Sequence, residues 1–306
     1  MRILITGGAG FIGHSVAIYL KNKGFEVVVV DSLERSSPYA LRRLNMCEVP
    51  IVNSDVMIFN SYEGFDVVIH AAAYVSVEES IKDPVKYFKN NVVSTAHVGF
   101  ECAKRRTKLI YLSSAAVYGE PIKIPIREDH PLNPKSPYGL SKLMGEQVLR
   151  QYADLYELKH VVLRLFNVYG PGQNPAYAGV IKSFIDRIKE EKPPIIYGDG
   201  TQTRDFIYVI DVAQVIEAFI ERDLFNGAVY NVGSGEETSI NTLAEKLMNI
   251  LGKSIKPIHA PERPGDIKRS FADISKLKDA IGFTPTPLEK GLMETLKALS
   301  NMKDLI

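Results

Sequence analysis

A glycine-rich turn follows the first apolar segment of the chain, in the run Ile-Leu-Ile-Thr-Gly-Gly-Ala-Gly-Phe-Ile-Gly at residues 3–13. Glycine has no Cβ atom, so the backbone amides around Gly7, Gly10 and Gly13 can close on phosphate oxygens. The apolar residues before the turn predict a buried strand. Residues 11–23 predict a helix whose positive N-terminal end faces those oxygens. The pattern therefore predicts a strand–turn–helix unit that holds the pyrophosphate of a dinucleotide.

An acidic residue ends the second predicted strand, which covers residues 26–30. Asp31 lies eighteen residues after Gly13. A carboxylate at this place accepts hydrogen bonds from both ribose hydroxyls of adenosine and repels a 2′-phosphate. The spacing therefore favours NAD over NADP, and the nearby Arg35 keeps NADP as an alternative. The competing interpretation of the whole segment is a plain glycine turn followed by a surface aspartate.

The bulk composition argues against several classes of protein. The 306 residues allow one large or two modest domains, and a net charge of +1 gives no electrostatic reason to expect nucleic acid or membrane as a partner. Cys47 and Cys102 lie far apart and the six histidines are scattered, which argues against a disulfide scaffold and against a bound metal. No apolar stretch approaches a membrane span and the N-terminus has no charged leader, so we expect a cytoplasmic protein.

Apolar strands alternate with helical stretches through the first half of the chain. After the first two strands, strands are predicted at 67–69, 108–112 and 160–165, with helices at 84–104 and 137–156 between them. This alternation is typical of an α/β fold with a doubly wound parallel sheet, the Rossmann architecture.

The pattern becomes rich in proline and glycine after Asn167, with a helix predicted at 179–190. Strands predicted at 206–210 and 228–232 are expected to return to the large sheet. We therefore expect a smaller C-terminal substrate-binding lobe that is interleaved with the dinucleotide-binding domain. The predicted division assigns residues 1–168, with the return of about 205–233, to the dinucleotide-binding domain, and 169–204 with 234–306 to the lobe.

Tyr138 and Lys142 lie one helical turn apart in the predicted helix at 137–156. Ser136 is a good N-cap residue and Pro137 suits the first helical position. A tyrosine hydroxyl normally loses its proton near pH ~10, but an ammonium group one turn away and the helix N-terminus both favour the phenolate. The pair therefore predicts that Tyr138 acts as a general acid or base, and the alternative is a surface pair without function.

A serine-rich segment, Ser-Ser-Ala-Ala-Val-Tyr-Gly at residues 113–119, follows the strand predicted at 108–112. Ligands bind at the carboxyl ends of the strands in open parallel sheets. A serine hydroxyl there could share the reacting oxygen of a substrate with Tyr138, and the alternative is an ordinary turn.

Together these motifs resemble the extended short-chain dehydrogenase/reductase family, and within it the nucleotide-sugar 4-epimerases. The resemblance covers nearly the whole chain, because further motifs match in order at residues 55–56, 70–73, 90–92, 164–167, 198–200, 204–206 and 263–266.

The resemblance implies roles for particular residues. The implied catalytic residues are Ser114, Tyr138 and Lys142. The implied NAD site consists of Gly7, Gly10, Phe11, Ile12, Gly13, Asp31, Ser32, Asp55, Val56, Ala71, Ala72, Ala73, Asn90, Ser113, Tyr138 and Lys142. The implied UDP-sugar site consists of Ser114, Tyr138, Asn167, Val180, Tyr197, Arg204, Arg263, Asp266 and Ser270. The helices at 84–104 and 137–156 pair across a two-fold axis in the family, which implies a homodimer.

The reaction that the resemblance implies is the interconversion of UDP-glucose and UDP-galactose through a 4-keto sugar, with NAD retained and no metal ion. Other NAD-dependent enzymes of the family remain alternatives, namely uronate 4-epimerases, decarboxylases and reductases, and so does an NAD-binding regulator without activity. Ala115 and Ala116 stand where dehydratases carry an Asp-Glu pair, which argues against dehydration. Ser270 stands where the family often has a bulky residue, so the sugar pocket is expected to admit N-acetylhexosamines unless Phe271 fills the space.

Overall fold

The computed structural model describes residues 1–174, 179–262 and 267–301 of the chain. Its strands are β1 Arg2–Thr6, β2 Glu26–Asp31, β3 Ile51–Asn53, β4 Val67–His70, β5 Lys108–Ser114, β6 His160–Leu165, β7 Asn167–Tyr169, β8 Ile195–Tyr197, β9 Thr203–Arg204, β10 Phe206–Tyr208, β11 Val229–Val232, β12 Thr238–Ser239, β13 Ile258–Ala260 and β14 Arg269–Ser270. Its helices are α1 Phe11–Asn22, α2 Pro38–Met46, α3 Val77–Lys82, α4 Pro84–Tyr87, α5 Ser94–Arg105, α6 Pro137–Tyr156, α7 Val180–Lys189, α8 Val209–Glu221, α9 Ile240–Ile250, α10 Ser275–Ile281 and α11 Leu288–Asn301.

Seven strands of the described chain form one parallel sheet in the order β11-β6-β5-β4-β1-β2-β3. Every residue of β4 and β6 is buried, as expected where helices cover both faces of a sheet. Helices α1 and α8 pack on one face, where Val16 and Val212 belong to its core. Helices α5 and α6 pack on the other, where Val98 and Leu149 are buried. The predicted α/β fold with a doubly wound parallel sheet is confirmed.

Helix α6 begins and ends where the sequence predicts, at Pro137 and Tyr156. The side chain of Ser136 accepts a hydrogen bond from the backbone amide of Gly139 at 3.1 Å, which caps the helix. The other predicted long helix is interrupted: α4 runs into a π-helical turn at Phe88–Val93, and α5 follows directly and ends at Arg105.

One of the two strands expected to return to the large sheet does so. Strand β11 pairs with β6, whereas β10 pairs with β7 in a separate two-stranded sheet, so the prediction for residues 206–210 is wrong. Helix α8 already starts at Val209, which leaves three residues for that strand. Its partner is β7, the segment directly after β6, which lies outside the large sheet.

The later elements surround a second, smaller core. Helices α7, α9 and α11 contribute Phe184, Leu243 and Leu292, which are all fully buried. Two more small sheets accompany them, β12-β9-β14 and β13-β8. None of the helices in the described ranges is long and apolar enough to cross a membrane.

Candidate active site

The glycine turn between β1 and α1 is packed so closely that side chains cannot replace its glycines. Gly7 has a φ of +65°, and a Cβ atom on it would lie 2.5 Å from the backbone nitrogen of Ala72. A Cβ atom on Gly13 would lie 2.3 Å from the carbonyl oxygen of Gly7, which also accepts a hydrogen bond from the amide of Gly10 at 3.0 Å. The turn therefore leaves its backbone open to a ligand at the N-terminus of α1, as a phosphate cradle requires.

A cleft of about 380 Å³ runs from this turn along the carboxyl edge of the large sheet. It brings together the residues predicted for the dinucleotide and for catalysis: Gly7, Gly10, Phe11, Ile12, Gly13, Asp31, Ser32, Asp55, Val56, Ala71, Ala72, Ala73, Asn90, Ser113, Ser114, Tyr138 and Lys142. The size of the cleft, its glycine cradle and the acid at the end of β2 fit a dinucleotide.

Asp31 joins the turn to the loop after β2. Its carboxylate accepts hydrogen bonds from the amides of Ala9 at 2.9 Å and Leu33 at 2.8 Å. Burial raises the pKa of Asp31, and these two hydrogen bonds oppose the shift. Arg35 lies 3.9 Å from the ring centre of Tyr74 and forms an ion pair with Glu79 at 2.8 Å. Because Glu79 already engages that guanidinium, the arrangement favours NAD over NADP.

A second loop borders the cleft on its other side and is hydrogen-bonded to the loop after β2. The hydroxyl of Ser37 donates to the carbonyl oxygen of Gly172 at 3.1 Å, and the amide of Asn174 donates to the carbonyl oxygen of Arg35 at 3.2 Å. The segment after β7 is thereby tied to the loop after β2.

The three predicted catalytic residues meet where β5 and α6 approach each other. Ser114 ends β5 and forms a hydrogen bond with Tyr138, on the first turn of α6. One turn further along, the ammonium group of Lys142 donates to the carbonyl oxygen of Leu112 at 2.9 Å and lies 5.0 Å from the ring centre of Tyr111. A hydroxyl, a phenol and an amine thus share one end of the cleft.

Burial acts against the phenolate form that is expected of Tyr138. Burial raises the pKa of Tyr138, and the hydrogen bond with Ser114 lowers it only in part. Burial lowers the pKa of Lys142 to about 7, against the attraction of Glu146. Burial of both side chains therefore opposes the phenolate that the Lys142 ammonium group and the helix N-terminus are expected to favour, and the role of Tyr138 as a general acid or base stays a prediction.

A second cleft of about 250 Å³ adjoins the first, since Val168 and Gln173 line both. It brings together four residues predicted for the substrate, which are Asn167, Val180, Tyr197 and Arg204. The guanidinium of Arg204 donates to the carbonyl oxygens of Thr203 at 2.7 Å and Ile267 at 2.6 Å.

The remaining substrate predictions have different outcomes. Within the described chain Ser270 does not line the second cleft. It is buried and lies opposite Arg204, which does, in the pairing of β14 with β9. The predicted residues Arg263 and Asp266 lie outside the described residues.

Several residues at the site were not found from the sequence. Gln202 lines the second cleft and donates to the carbonyl oxygen of Tyr197 at 2.6 Å. Tyr74 lines the first cleft. Glu146 forms a buried ion pair with Arg164 one turn beyond Lys142. The sequence signal available for Glu146 was the spacing of a Tyr, a Lys and a Glu at every fourth residue of α6. No sequence signal marks Gln202 or Tyr74.

Comparison with known proteins agrees with this geometry. Residues 3–233 match the NAD dependent epimerase/dehydratase family. The chain is 36% identical to a putative UDP-glucose 4-epimerase of Methanocaldococcus jannaschii, over 98% of both proteins. It resembles the structure of a UDP-N-acetylglucosamine 4-epimerase from Methanobrevibacter ruminantium in complex with UDP-N-acetylmuramic acid, with a TM-score of 0.92 and 37% identity over 98% of both chains.

A second similar structure is a UDP-glucuronic acid 4-epimerase from Bacillus cereus in complex with UDP-glucuronic acid and NAD, with a TM-score of 0.91 and 33% identity over 99% of this chain and all of that one. Three observations point to the same family: the glycine cradle, the serine, tyrosine and lysine at the end of the cleft, and the match over most of the chain. This protein belongs to the NAD-dependent epimerase/dehydratase family.

Proposed function

We propose that the protein is a UDP-sugar 4-epimerase, an isomerase that uses bound NAD. The observation that carries this proposal is the position of Tyr138, Ser114 and Lys142 at one end of a dinucleotide cleft whose wall is shared with a second cleft. A sugar between the two clefts would meet the catalytic hydroxyls, while its nucleotide would lie against Asn167 and Arg204. An arginine suits a diphosphate because its guanidinium offers several fixed donors.

The chain's own residues supply proton transfer and anchoring. Tyr138 takes the proton from the sugar 4-hydroxyl, and Ser114 orients that hydroxyl through its hydrogen bond with Tyr138. Bound NAD would take and return the C4 hydride, and its oxidised ring would add a positive charge to the cleft that contains Tyr138. Arg204 holds the diphosphate while the 4-keto sugar turns, so that Tyr138 returns its proton to the product with inverted configuration at C4.

The names of the relatives suggest three candidate sugars for this protein. UDP-glucose, UDP-N-acetylglucosamine and UDP-glucuronic acid epimerases are all similar to this chain. The small side chain of Ser270, buried opposite Arg204 and outside the lining of the second cleft, leaves Arg204 uncrowded, which favours a pocket that admits an N-acetyl group as well as a plain hexose. Ala115 and Ala116 follow the catalytic serine and provide no acid or base for dehydration.

A substrate panel tests this function directly. Purified protein is incubated separately with the three UDP-sugars, and the products are separated by chromatography. We expect the C4 epimers of UDP-glucose and UDP-N-acetylglucosamine without net formation of NADH. Conversion of UDP-glucuronic acid alone would replace the proposal by a uronate epimerase. Release of a keto sugar or of carbon dioxide would contradict epimerisation.

Replacing Ser270 with tyrosine tests the choice of sugar. The larger side chain at this buried position is expected to push the neighbouring Arg204 into the second cleft and so crowd the N-acetyl group, because a packed site cannot absorb the added ring. The ratio of kcat/KM for UDP-N-acetylglucosamine to that for UDP-glucose should fall by about tenfold or more. Ser270→Ala is the matched control and should keep the ratio. An unchanged ratio in Ser270→Tyr would show that another residue limits the pocket.

We also propose a homodimer formed by α5, α6 and the turn before α5. Apolar side chains are exposed on these elements at Val93, Phe100, Met144 and Leu155, and burying such a patch stabilises an interface between copies. Light scattering should give twice the mass of the chain in solution, and the mass of one chain would contradict the dimer. A cytoplasmic location is part of the same proposal.

A further inference from the structure

Helix α6 carries a third polar residue in register with Tyr138 and Lys142. Glu146 follows Lys142 by one turn, and residues four apart share a face of a helix. Its carboxylate forms a two-point ion pair with Arg164 of β6, with the guanidinium Nε 3.0 Å from Oε1 and Nη2 2.7 Å from Oε2. The side chains of Glu146 and Arg164 are only 7% and 4% exposed, so water does not screen the pair.

The Glu146 carboxylate also joins β5 and α6, the two elements that carry the catalytic residues. The hydroxyl of Ser113 donates to Oε1 of Glu146, and Ser113 lies opposite Arg164 in the pairing of β5 with β6. Ser113 precedes Ser114, while Glu146 lies on the helix that carries Tyr138 and Lys142. One carboxylate therefore connects the end of β5 to the catalytic face of α6.

The network continues away from the dinucleotide cleft. Nη1 of Arg164 donates to the hydroxyl of Tyr118 at 2.9 Å, and that hydroxyl donates to the side chain of Asn231 in β11 at 2.6 Å. The side chain of Asn231 in turn donates to the carbonyl oxygen of Ile126 at 2.8 Å. Each guanidinium nitrogen of Arg164 and each carboxylate oxygen of Glu146 therefore has a hydrogen-bond partner that holds it in place.

Among the described residues and without bound cofactor, the other titratable groups near Lys142 carry no negative charge, and burial raises the pKa of Tyr138 on the same face of α6. His70 of β4 has a pKa lowered to about 3 by burial, so its imidazole is neutral. Burial raises the pKa of Tyr111 in β5, and its hydroxyl lies 3.5 Å from the carbonyl oxygen of Lys142. The π-helical turn presents the amide of Asn91, which donates to Ser141 at 2.9 Å. Within the described residues, Glu146 is the carboxylate that acts on the Lys142 ammonium group.

We propose that Glu146 is a positioning residue that keeps Lys142 protonated and fixes α6 against the end of β5. The proposal rests on the epimerase function for its consequence in turnover. Its carboxylate pairs directly with Arg164, and its negative charge also favours the ammonium form of Lys142 one turn away. Removing that charge leaves both cations without a carboxylate, and the more easily deprotonated Lys142 then gives up its proton at a lower pH.

A Glu146→Gln variant tests the proposal through the pH dependence of the reaction. Loss of the protonated Lys142 should move the alkaline limb of the kcat profile to lower pH by about one unit. KM for the UDP-sugar should stay nearly constant, because the nucleotide is held in the second cleft. Asp154→Asn removes a charge from an exposed position two turns further along α6 and should leave the limb in place. Glu146→Asp keeps the charge and should restore the limb.

A measurement without substrate separates this proposal from the function itself. The folded pKa of Lys142, about 7, lies below its unfolded value, so the folded state disfavours the ammonium form. Stability relative to Lys142→Met should therefore rise with pH from about 7 toward the unfolded pKa, and stay level below 7. In the Glu146→Gln background this rise should begin about one pH unit lower.

The outcomes are distinct. An unmoved kinetic limb together with an unmoved onset of stabilisation would overturn the proposal, even if Glu146→Gln lowers kcat. If the wild-type protein converts no UDP-sugar but the onset shifts as stated, the epimerase function fails and the role of Glu146 toward Lys142 holds. If Glu146→Gln does not fold because Arg164 is left unpaired, Glu146→Gln/Arg164→Gln is compared with Arg164→Gln, which keeps the carboxylate, and the onset should begin at lower pH in the double variant than in the single one.

Discussion

Replacing Tyr138 with phenylalanine is expected to lower kcat for epimerisation by about 10²–10⁴-fold, the range that general acid–base catalysis contributes. The change removes the one hydroxyl that forms a hydrogen bond with Ser114 at the end of the cleft and leaves the ring in place. Lys142 cannot replace it because its side-chain nitrogen donates to the carbonyl oxygen of Leu112. Steady-state assay with the UDP-sugar that the wild-type protein converts measures the loss.

The control for this variant removes a hydroxyl elsewhere on the same helix. Tyr152→Phe lies in α6 among the aromatic rings of Phe100 and Tyr156, away from the cleft, and should keep its turnover. The Tyr138→Phe protein should also retain NAD and its melting temperature, as measured by cofactor content and thermal unfolding. Turnover above a tenth of the wild-type value would assign the proton transfer to another group.

Replacing Gly13 with alanine is expected to abolish retention of the dinucleotide. The new Cβ atom would lie 2.3 Å from the carbonyl oxygen of Gly7 and 2.6 Å from the Cα atom of Gly8. Both contacts are with backbone, so no side-chain rotation relieves them and the turn itself must move. The amides that face the phosphates would then lose their arrangement. The NAD content of purified protein and isothermal titration with NAD measure the effect.

A glycine at the other end of α1 provides the matched control. Gly24 has a φ of +90°, and no atom lies within 4 Å of the Cβ that alanine would add. Gly24→Ala should cost about 1 kcal/mol of stability through backbone strain and keep its NAD affinity. If both variants bind NAD equally, the close packing of the turn is not what the cofactor requires.

The local elements at the site were predictable because short-range chemistry determines them. The β1–turn–α1 unit follows from its glycines, and α6 begins at Pro137 because Ser136 caps it. The pairing of β10 was not predictable, since a strand of three residues, Phe206–Tyr208, carries no information about which strand it joins. A register of that kind depends on the whole assembled chain.

The electrostatic character of the site was also beyond the sequence. The spacing of Tyr138 and Lys142 places them on one face of a helix, but it does not reveal how far each group is removed from water. Burial raises the pKa of Tyr138, against the direction expected from Lys142 and the helix N-terminus, and lowers the pKa of Lys142 to about 7. The division of the chain into a dinucleotide-binding domain and a substrate-binding lobe stays a prediction.

The hydrogen bonds between the loop after β2 and the segment after β7 have a consequence for how the protein would draw on the NAD of the cell. Ser37 and Asn174 close this side of the cleft, and the neighbouring Gln173 also lines the second cleft. We expect a dinucleotide held behind these hydrogen bonds to exchange slowly with the surrounding pool. The proposed reaction returns each hydride that it takes, so its equilibrium does not involve the ratio of NAD to NADH in the cell, and slow exchange would make its rate independent of that ratio as well.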